Sequence, residues 1–147
     1  MLAAGCGETP FPPSGNSPRP ESYTFCPTPS IGALPARFSL RDRTLENLGQ
    51  NLMGRSATYG YGRRHLTIFV GYDALDAYDD LDFHERVVAV AGRQVTLATP
   101  GAVAETHLRF ATWDDKRFGP GCQLLTIVAK RLTEGELLDV VGTVTVG

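Results

Sequence analysis

Three histidines are the side chains in this sequence best suited to metal binding or proton transfer: His65, His84 and His107. Each stands alone, and none forms the His-x-His or His-Glu-x-x-His spacing that brings two imidazoles to one metal ion. His84 is followed by Glu85, but Val88 occupies the position where a zinc motif requires its second histidine. We therefore predict no metal site and no bound cofactor.

Serine nucleophiles lack the sequence context that would activate them. Ser56 lies in Gly54-Arg55-Ser56-Ala57-Thr58, which lacks the second glycine of a nucleophile elbow. Gly60-Tyr61-Gly62 leads into Arg63 and not into a helix start, so no phosphate-cradling or dinucleotide loop is predicted. A hydrolase or metal-dependent enzyme is consequently the least favoured class of function.

The strongest local departure in charge is acidic. Six carboxylates and no Lys or Arg lie between Tyr72 and Glu85. A helix over Asp73–Leu81 would bring Asp73, Asp76 and Asp80 onto one side as a candidate acidic binding face. The alternating pattern of a calcium loop is absent, so we expect an exposed, solvated face with no tightly bound metal ion.

A basic segment precedes the acidic one. From Arg37 to Arg64 there are six arginines against Asp42 and Glu46. These arginines could meet anionic lipid headgroups, or they could pair with the acidic segment inside the same fold. We favour the pairing.

The N-terminus opens with small residues before a cysteine, Leu2-Ala3-Ala4-Gly5-Cys6. This segment resembles the lipobox of bacterial lipoproteins. The resemblance implies that Cys6 carries the lipid, and that the protein is exported and held at the extracytoplasmic face of the cell membrane. The alternative is a tail in which Gly5-Cys6 occurs by chance.

Proline content supports a tether behind that cysteine. Eight of the ten prolines lie in the first 35 residues, together with several Gly and Ser. Proline restricts φ and removes a backbone donor, so an extended spacer is expected. We divide the chain into a lipobox remnant (1–6), a tether (7–30) and one globular domain (31–147).

Two cysteines remain once Cys6 is assigned to the lipid. In an oxidising compartment Cys26 and Cys122 can form a disulfide, which would join the end of the tether to the domain. Two buried free thiols are the alternative.

The domain is predicted to be α+β, an antiparallel sheet of about five strands with two short helices packed on it. Strands are predicted in or near Arg37–Leu40, His65–Val70, Arg86–Val90, Gln94–Leu97, Thr106–Thr112 and Gln123–Lys130. Leu45–Met53 is ambiguous between helix and strand. The helices are Asp73–Leu81 and a final one through Val141, which opens with the capping box Thr133-Glu134-Gly135-Glu136.

Composition excludes some classes of partner. The 147 residues have a net charge of −2, so there is no global basic field for nucleic acid. The aromatic residues suit a core or a pocket for a small apolar ligand. We expect a lipid-anchored accessory or small-ligand-binding protein without catalysis; the alternative is a protein–protein interaction module of an envelope complex.

Overall fold

The computed structural model describes residues 22–75, 82–101 and 107–147. Within these ranges the chain forms one α-helix, α1 (Glu134–Gly142), and ten strands. The strands are β1 (Thr24–Phe25), β2 (Pro29–Ile31), β3 (Ser39–Gly49), β4 (Leu52–Tyr61), β5 (Arg64–Val70), β6 (Phe83–Val90), β7 (Arg93–Pro100), β8 (Leu108–Asp114), β9 (Leu124–Lys130) and β10 (Val144–Val146). The α+β class predicted from the sequence is confirmed.

Eight of the strands pair in one sheet. The order is β3-β4-β5-β9-β8-β7-β6, and β1 adds beside the first two residues of β4. All of these pairings are antiparallel except the short β1–β4 pair, while β2 and β10 form a separate antiparallel ribbon. The prediction of about five strands and two helices is therefore wrong: the sheet is larger, and the described residues contain a single α-helix.

The hairpin of β3 and β4 accounts for most of the difference between the predicted and the observed number of strands. β3 is exposed along almost its whole length and carries charges of both signs, as edge strands often do, so it has no apolar alternation. In β4, a Cβ on Gly54 would lie 2.9 Å from the carbonyl oxygen of Val70 and 3.0 Å from Cδ1 of Tyr72. Such close approaches leave room only for glycine. Because glycine has no side chain and is disfavoured in strands, the sequence pattern does not identify β4 as a strand.

The main core lies between α1 and one face of the sheet. Leu66, Ile68 and Val70 alternate along β5 toward this face and are fully buried. Leu137 and Val140 belong to the same cluster, on the inner side of α1. The opposite face of the sheet carries a smaller cluster, formed by Ala74, Ala98, Phe110 and Val128 and packed against Phe83.

The capping box predicted at the start of the final helix is confirmed. Thr133 Oγ1 accepts a hydrogen bond from the Glu136 amide at 3.1 Å, and Glu136 Oε1 accepts one from the Thr133 amide at 2.9 Å. β6 and β7 are joined by Ala91 and Gly92, both at positive φ. A two-residue turn with that geometry matches the twist of the strands it connects.

The predicted disulfide is present. Cys26 and Cys122 are bonded, with 5.5 Å between their Cα atoms, and both are buried in the main core. The bond joins the chain just after β1 to the loop before β9. The free-thiol alternative is therefore excluded.

Candidate ligand-binding cleft

A cleft of about 330 Å³ lies between the hairpin β3–β4 and the segment that leads into β2. Its size falls at the lower end of the range for small-molecule sites. The lining combines two arginines with apolar side chains and hydroxyls: Thr28, Pro29, Arg43, Thr44, Leu45, Arg55, Ser56 and Ala57.

Strand register brings the two arginines together. Arg43 lies opposite Ala57 and Leu45 lies opposite Arg55 in the β3–β4 ladder. Because side chains alternate along a strand, these four residues project from one face of the hairpin. Ala57 is buried in the main core, whereas Leu45 is 48% exposed. The cleft therefore runs from the core to solvent with a guanidinium on each strand.

The arginines differ in how firmly they are held. Arg55 Nε donates to the carbonyl oxygen of Cys26 at 2.5 Å, and its guanidinium lies 5.6 Å from the ring centre of Phe25. Arg43 is exposed and makes no ion pair within the described residues, nor does Arg55. Two guanidinium groups with no carboxylate partner in the described part of the chain suit an anion, which they can bind with charge-assisted hydrogen bonds.

The wall formed by Thr28 and Pro29 is fixed at both of its ends. On one side the Cys26–Cys122 disulfide holds the chain to the sheet, and the amide of Cys26 donates to the carbonyl oxygen of Met53 at 2.8 Å. On the other side β2 pairs with β10. The cleft is therefore a preformed feature of the fold, which reduces the cost of ordering on binding.

The hydroxyl of Ser56 is already engaged. It is hydrogen bonded to Thr44, its cross-strand neighbour, and also to Tyr72. Burial raises the pKa of Tyr72, an effect that Glu46 reinforces and that the bond to Ser56 opposes. Ser56 therefore supports the hairpin and is not arranged as a nucleophile.

A second cleft, of about 200 Å³, contains His84. It also holds Glu134, which is ion-paired with Arg86, and Arg109, whose Nε donates to the carbonyl oxygen of Leu132 at 2.9 Å. The hydrogen bond from Arg86 lowers the pKa of Glu134. A carboxylate held in this way is a poor proton acceptor, so the cleft is not arranged for general base catalysis.

The other residues singled out from the sequence are dispersed. His65 lies on β5, His84 on β6 and His107 just before β8. In the part of the chain that the structure describes, no three His, Cys, Asp or Glu side chains are grouped to hold a metal ion. Asp73 accepts a hydrogen bond from the Leu75 amide at 2.8 Å, whereas Asp76 and Asp80, like most of the predicted Asp73–Leu81 helix, lie outside the described residues.

The arginines of the basic segment do not share one role. Arg64 pairs with Glu136 on α1 at 2.5 Å. Arg37 donates to Tyr61 Oη at 3.0 Å and Arg41 donates to a backbone carbonyl. Arg64 therefore has a partner on α1, and pairing with the acidic segment stays a prediction, because most of that segment lies outside the described residues.

Comparisons of this chain with protein-family models, with curated proteins and with solved structures found no match. Among the described residues, none of the helices has the length and apolar character needed to cross a membrane.

Sequence reasoning missed the residues of the first cleft. Arg43 and Arg55 become neighbours only when the chain reverses at Gly49, Gln50 and Asn51, all of which have positive φ. Gly and Asn are typical of such turns, and Asn51 was the available signal. A hairpin turn assigned to this position would have predicted that the two arginines lie on neighbouring strands, close to each other.

Proposed function

We propose that this protein is a lipid-anchored, extracytoplasmic binding protein that takes a small anionic ligand with an apolar part into the β3–β4 cleft, without catalysis. The observation that carries the proposal is the diagonal placement of Arg43 and Arg55 across the β3–β4 ladder, on the same face as Leu45 and Ala57. The arginines would bind the anionic group while the apolar side chains contact the rest of the ligand.

Export and lipid anchoring are supported by separate features. The lipobox-like segment ending at Cys6 stands before a proline-rich stretch. The disulfide between Cys26 and Cys122 is of the kind that persists in oxidising compartments. Metabolic labelling of the host cell with palmitate tests the anchor directly. Labelled protein is expected from the parent gene and none from Cys6→Ser.

The cleft is tested by calorimetric titration with three probes. Octanoate combines an anion with an apolar chain, acetate lacks the chain, and octanamide lacks the charge. We expect octanoate to bind at least tenfold more tightly than either of the others, since each of these loses one class of contact. Equal binding of octanoate and octanamide would show that the arginines do not recognise the anion.

Variants locate the binding site on the protein. Arg43→Gln should weaken octanoate binding by about 10–100-fold, the effect of losing a charge-assisted hydrogen bond. Leu45→Ser should also weaken octanoate binding, because it removes an apolar contact with the hydrocarbon chain of octanoate. Lys116→Gln is the matched control, because Lys116 is an exposed cation in the turn beyond β8, outside the cleft lining. An affinity unchanged by Arg43→Gln would place the ligand elsewhere.

Interaction with another envelope protein is the second candidate function. The long exposed edge strand β3 favours it, because its unpaired backbone groups can add a strand from a partner. A parent protein that binds none of the three probes but co-purifies with one envelope protein from its own cells would support this candidate over the first.

A further inference from the structure

One end of the sheet is strongly basic. It consists of the β4–β5 turn with the ends of the neighbouring strands. The cations gathered there, which we call the basic tip, are Arg37, Arg41, Arg63, Arg64, Lys130 and Arg131.

Direct contacts hold the basic tip together. Arg41 crosses β4 at Gly60, where a Cβ would lie 2.9 Å from its Cζ atom, and its Nη2 donates to the carbonyl oxygen of Gly62 at 2.9 Å. Arg64 Nε donates to the carbonyl oxygen of Arg131 at 3.0 Å. The cations thus surround the β4–β5 turn on both faces of the sheet, with Arg41 and Lys130 on the face of His65 and Arg64 on the face toward α1.

Little negative charge offsets this surface. Within the described ranges only Arg64 of the basic tip forms an ion pair, and its partner is Glu136. His65 lies opposite Lys130 in the ladder, and its pKa is lowered by burial and then by the charges of Lys130 and Arg41. The tip therefore carries a positive local field although the whole chain is slightly acidic.

Apolar and aromatic side chains are exposed beside the cations. Tyr61 is 48% exposed and Leu40 is 41% exposed. The Arg37 guanidinium lies 5.5 Å from the ring centre of Tyr61 and donates to its hydroxyl. Tyrosine next to arginine at an exposed hairpin turn suits the interface between water and lipid headgroups.

We propose that the basic tip docks on an anionic lipid bilayer, with the arginines at the headgroup phosphates and with Tyr61 and Leu40 at the interface. The position of the cations at the end of the sheet favours this partner over an acidic peptide. A peptide is usually bound in a groove or along a strand edge, whereas a bilayer offers a wide plane of phosphate to a turn at the end of a sheet.

The proposal goes beyond the lipid anchor, since it assigns a membrane contact to the folded domain itself. β1 joins the sheet beside Leu52, at the opposite end of β4 from the tip. The ten residues of β4 span about 33 Å, whereas the fifteen residues 7–21 can span up to about 50 Å. A lipid on Cys6 would therefore leave the tip within reach of the same membrane.

Vesicle sedimentation tests the docking without the anchor. The probe protein is the full chain carrying Cys6→Ser, so that no lipid is attached. The vesicles are phosphatidylcholine alone or phosphatidylcholine with 30% phosphatidylglycerol, in 0.1 M salt. We expect at least tenfold stronger partition to the anionic vesicles, and a large loss in 0.5 M salt because screening weakens exposed charges.

Charge reversal identifies the surface responsible. Arg41→Glu, Arg63→Glu and Lys130→Glu together should lower partition by about 100-fold or more, at roughly 1 kcal/mol for each charge near the membrane. Lys116→Glu is the control. It reverses one charge beyond Asp114, the end of β8 that lies farther from the basic tip, and should change partition less than twofold. If the triple variant does not fold, Arg63→Glu alone, in an exposed turn, should still lower the partition to anionic vesicles about tenfold.

Three results would overturn the proposal. They are equal binding to both kinds of vesicle, an unchanged partition for the folded charge-reversal variants, or complete competition by soluble polyphosphate at the same phosphate concentration. The last would identify a general polyanion site in place of a lipid surface. Octanoate titration of the same samples distinguishes failure of the membrane-docking proposal from failure of the proposed ligand binding in the cleft, because Arg43 and Arg55 are unaltered.

Discussion

The Cys26–Cys122 disulfide should contribute a large share of the stability of this domain. The perturbation is Cys26→Ala with Cys122→Ala, made in a Cys6→Ser background so that no free thiol remains to form a wrong bond. The bonded residues are 96 positions apart. Closing a loop of this length lowers the entropy of the unfolded chain by an amount worth about 4–5 kcal/mol at 25 °C.

That figure is a quarter or more of the roughly 5–15 kcal/mol by which a typical domain is stable. Urea unfolding followed by fluorescence measures the loss, because Trp113 is the single tryptophan and is buried in the main core. With an m-value of about 1–3 kcal/mol/M, the midpoint should fall by about 1.3–5 M. The Cys6→Ser protein by itself should unfold at the parent midpoint.

The same variant should also bind octanoate less tightly, because Thr28 and Pro29 lose the bond that holds their segment to the sheet. A decrease in stability below about 1 kcal/mol would refute the reasoning from loop closure. It would mean that the contacts of β1 and the β2–β10 ribbon already fix this segment. Normal octanoate binding by the folded variant would show that the disulfide does not organise the cleft wall.

Three further outcomes are expected. Asp115→Asn should cost about 1–2 kcal/mol of unfolding free energy at pH 7 by urea titration. Hydrogen bonds from Arg117 lower the pKa of native Asp115, so this stability is present above pH 4 and is lost as the pH falls through the native pKa; the gap between parent and variant should therefore close in acid. Thr133→Ala should cost about 1 kcal/mol in thermal melts, and Thr133→Ser should restore most of it. Millimolar calcium added after EDTA should leave the melting midpoint unchanged.

Each of these three predictions would be contradicted by a particular result. A constant difference between Asp115→Asn and the parent from pH 7 to pH 3 would mean that the charge of Asp115 does not stabilise the fold. An unaltered melt for Thr133→Ala would show that α1 is held by packing alone. A calcium-dependent rise of several degrees that Asp76→Ala abolishes would make the acidic segment a cation site.

Several elements could be predicted from the sequence because their signals are local. The capping box from Thr133 to Glu136 depends on four neighbouring residues, and the helix follows from it. β5 and β9 have the β-branched alternation of buried strands, and both were predicted to within one or two residues. The disulfide followed from the cysteine count once Cys6 was assigned to the lipid.

Other features were decided by the tertiary structure, since they depend on residues far apart in the chain. Gly54 and Gly60 sit in a strand because Tyr72 and Arg41 cross over them, a reason that no local pattern of β4 contains. The partner of Arg64 is Glu136, 72 positions away, because β5 packs beside the start of α1.

The candidate sites also depend partly on the sequence alone and partly on the tertiary structure. The sequence by itself determined that arginines are concentrated between positions 37 and 64. Only the folding of that segment into two long strands and a third decided which of them share a surface: Arg43 and Arg55 are diagonal neighbours on one face of the β3–β4 ladder, and Arg41 and Arg63 lie at its far end. The physical reason is register, because a shift of one residue would turn each side chain to the opposite face of the sheet.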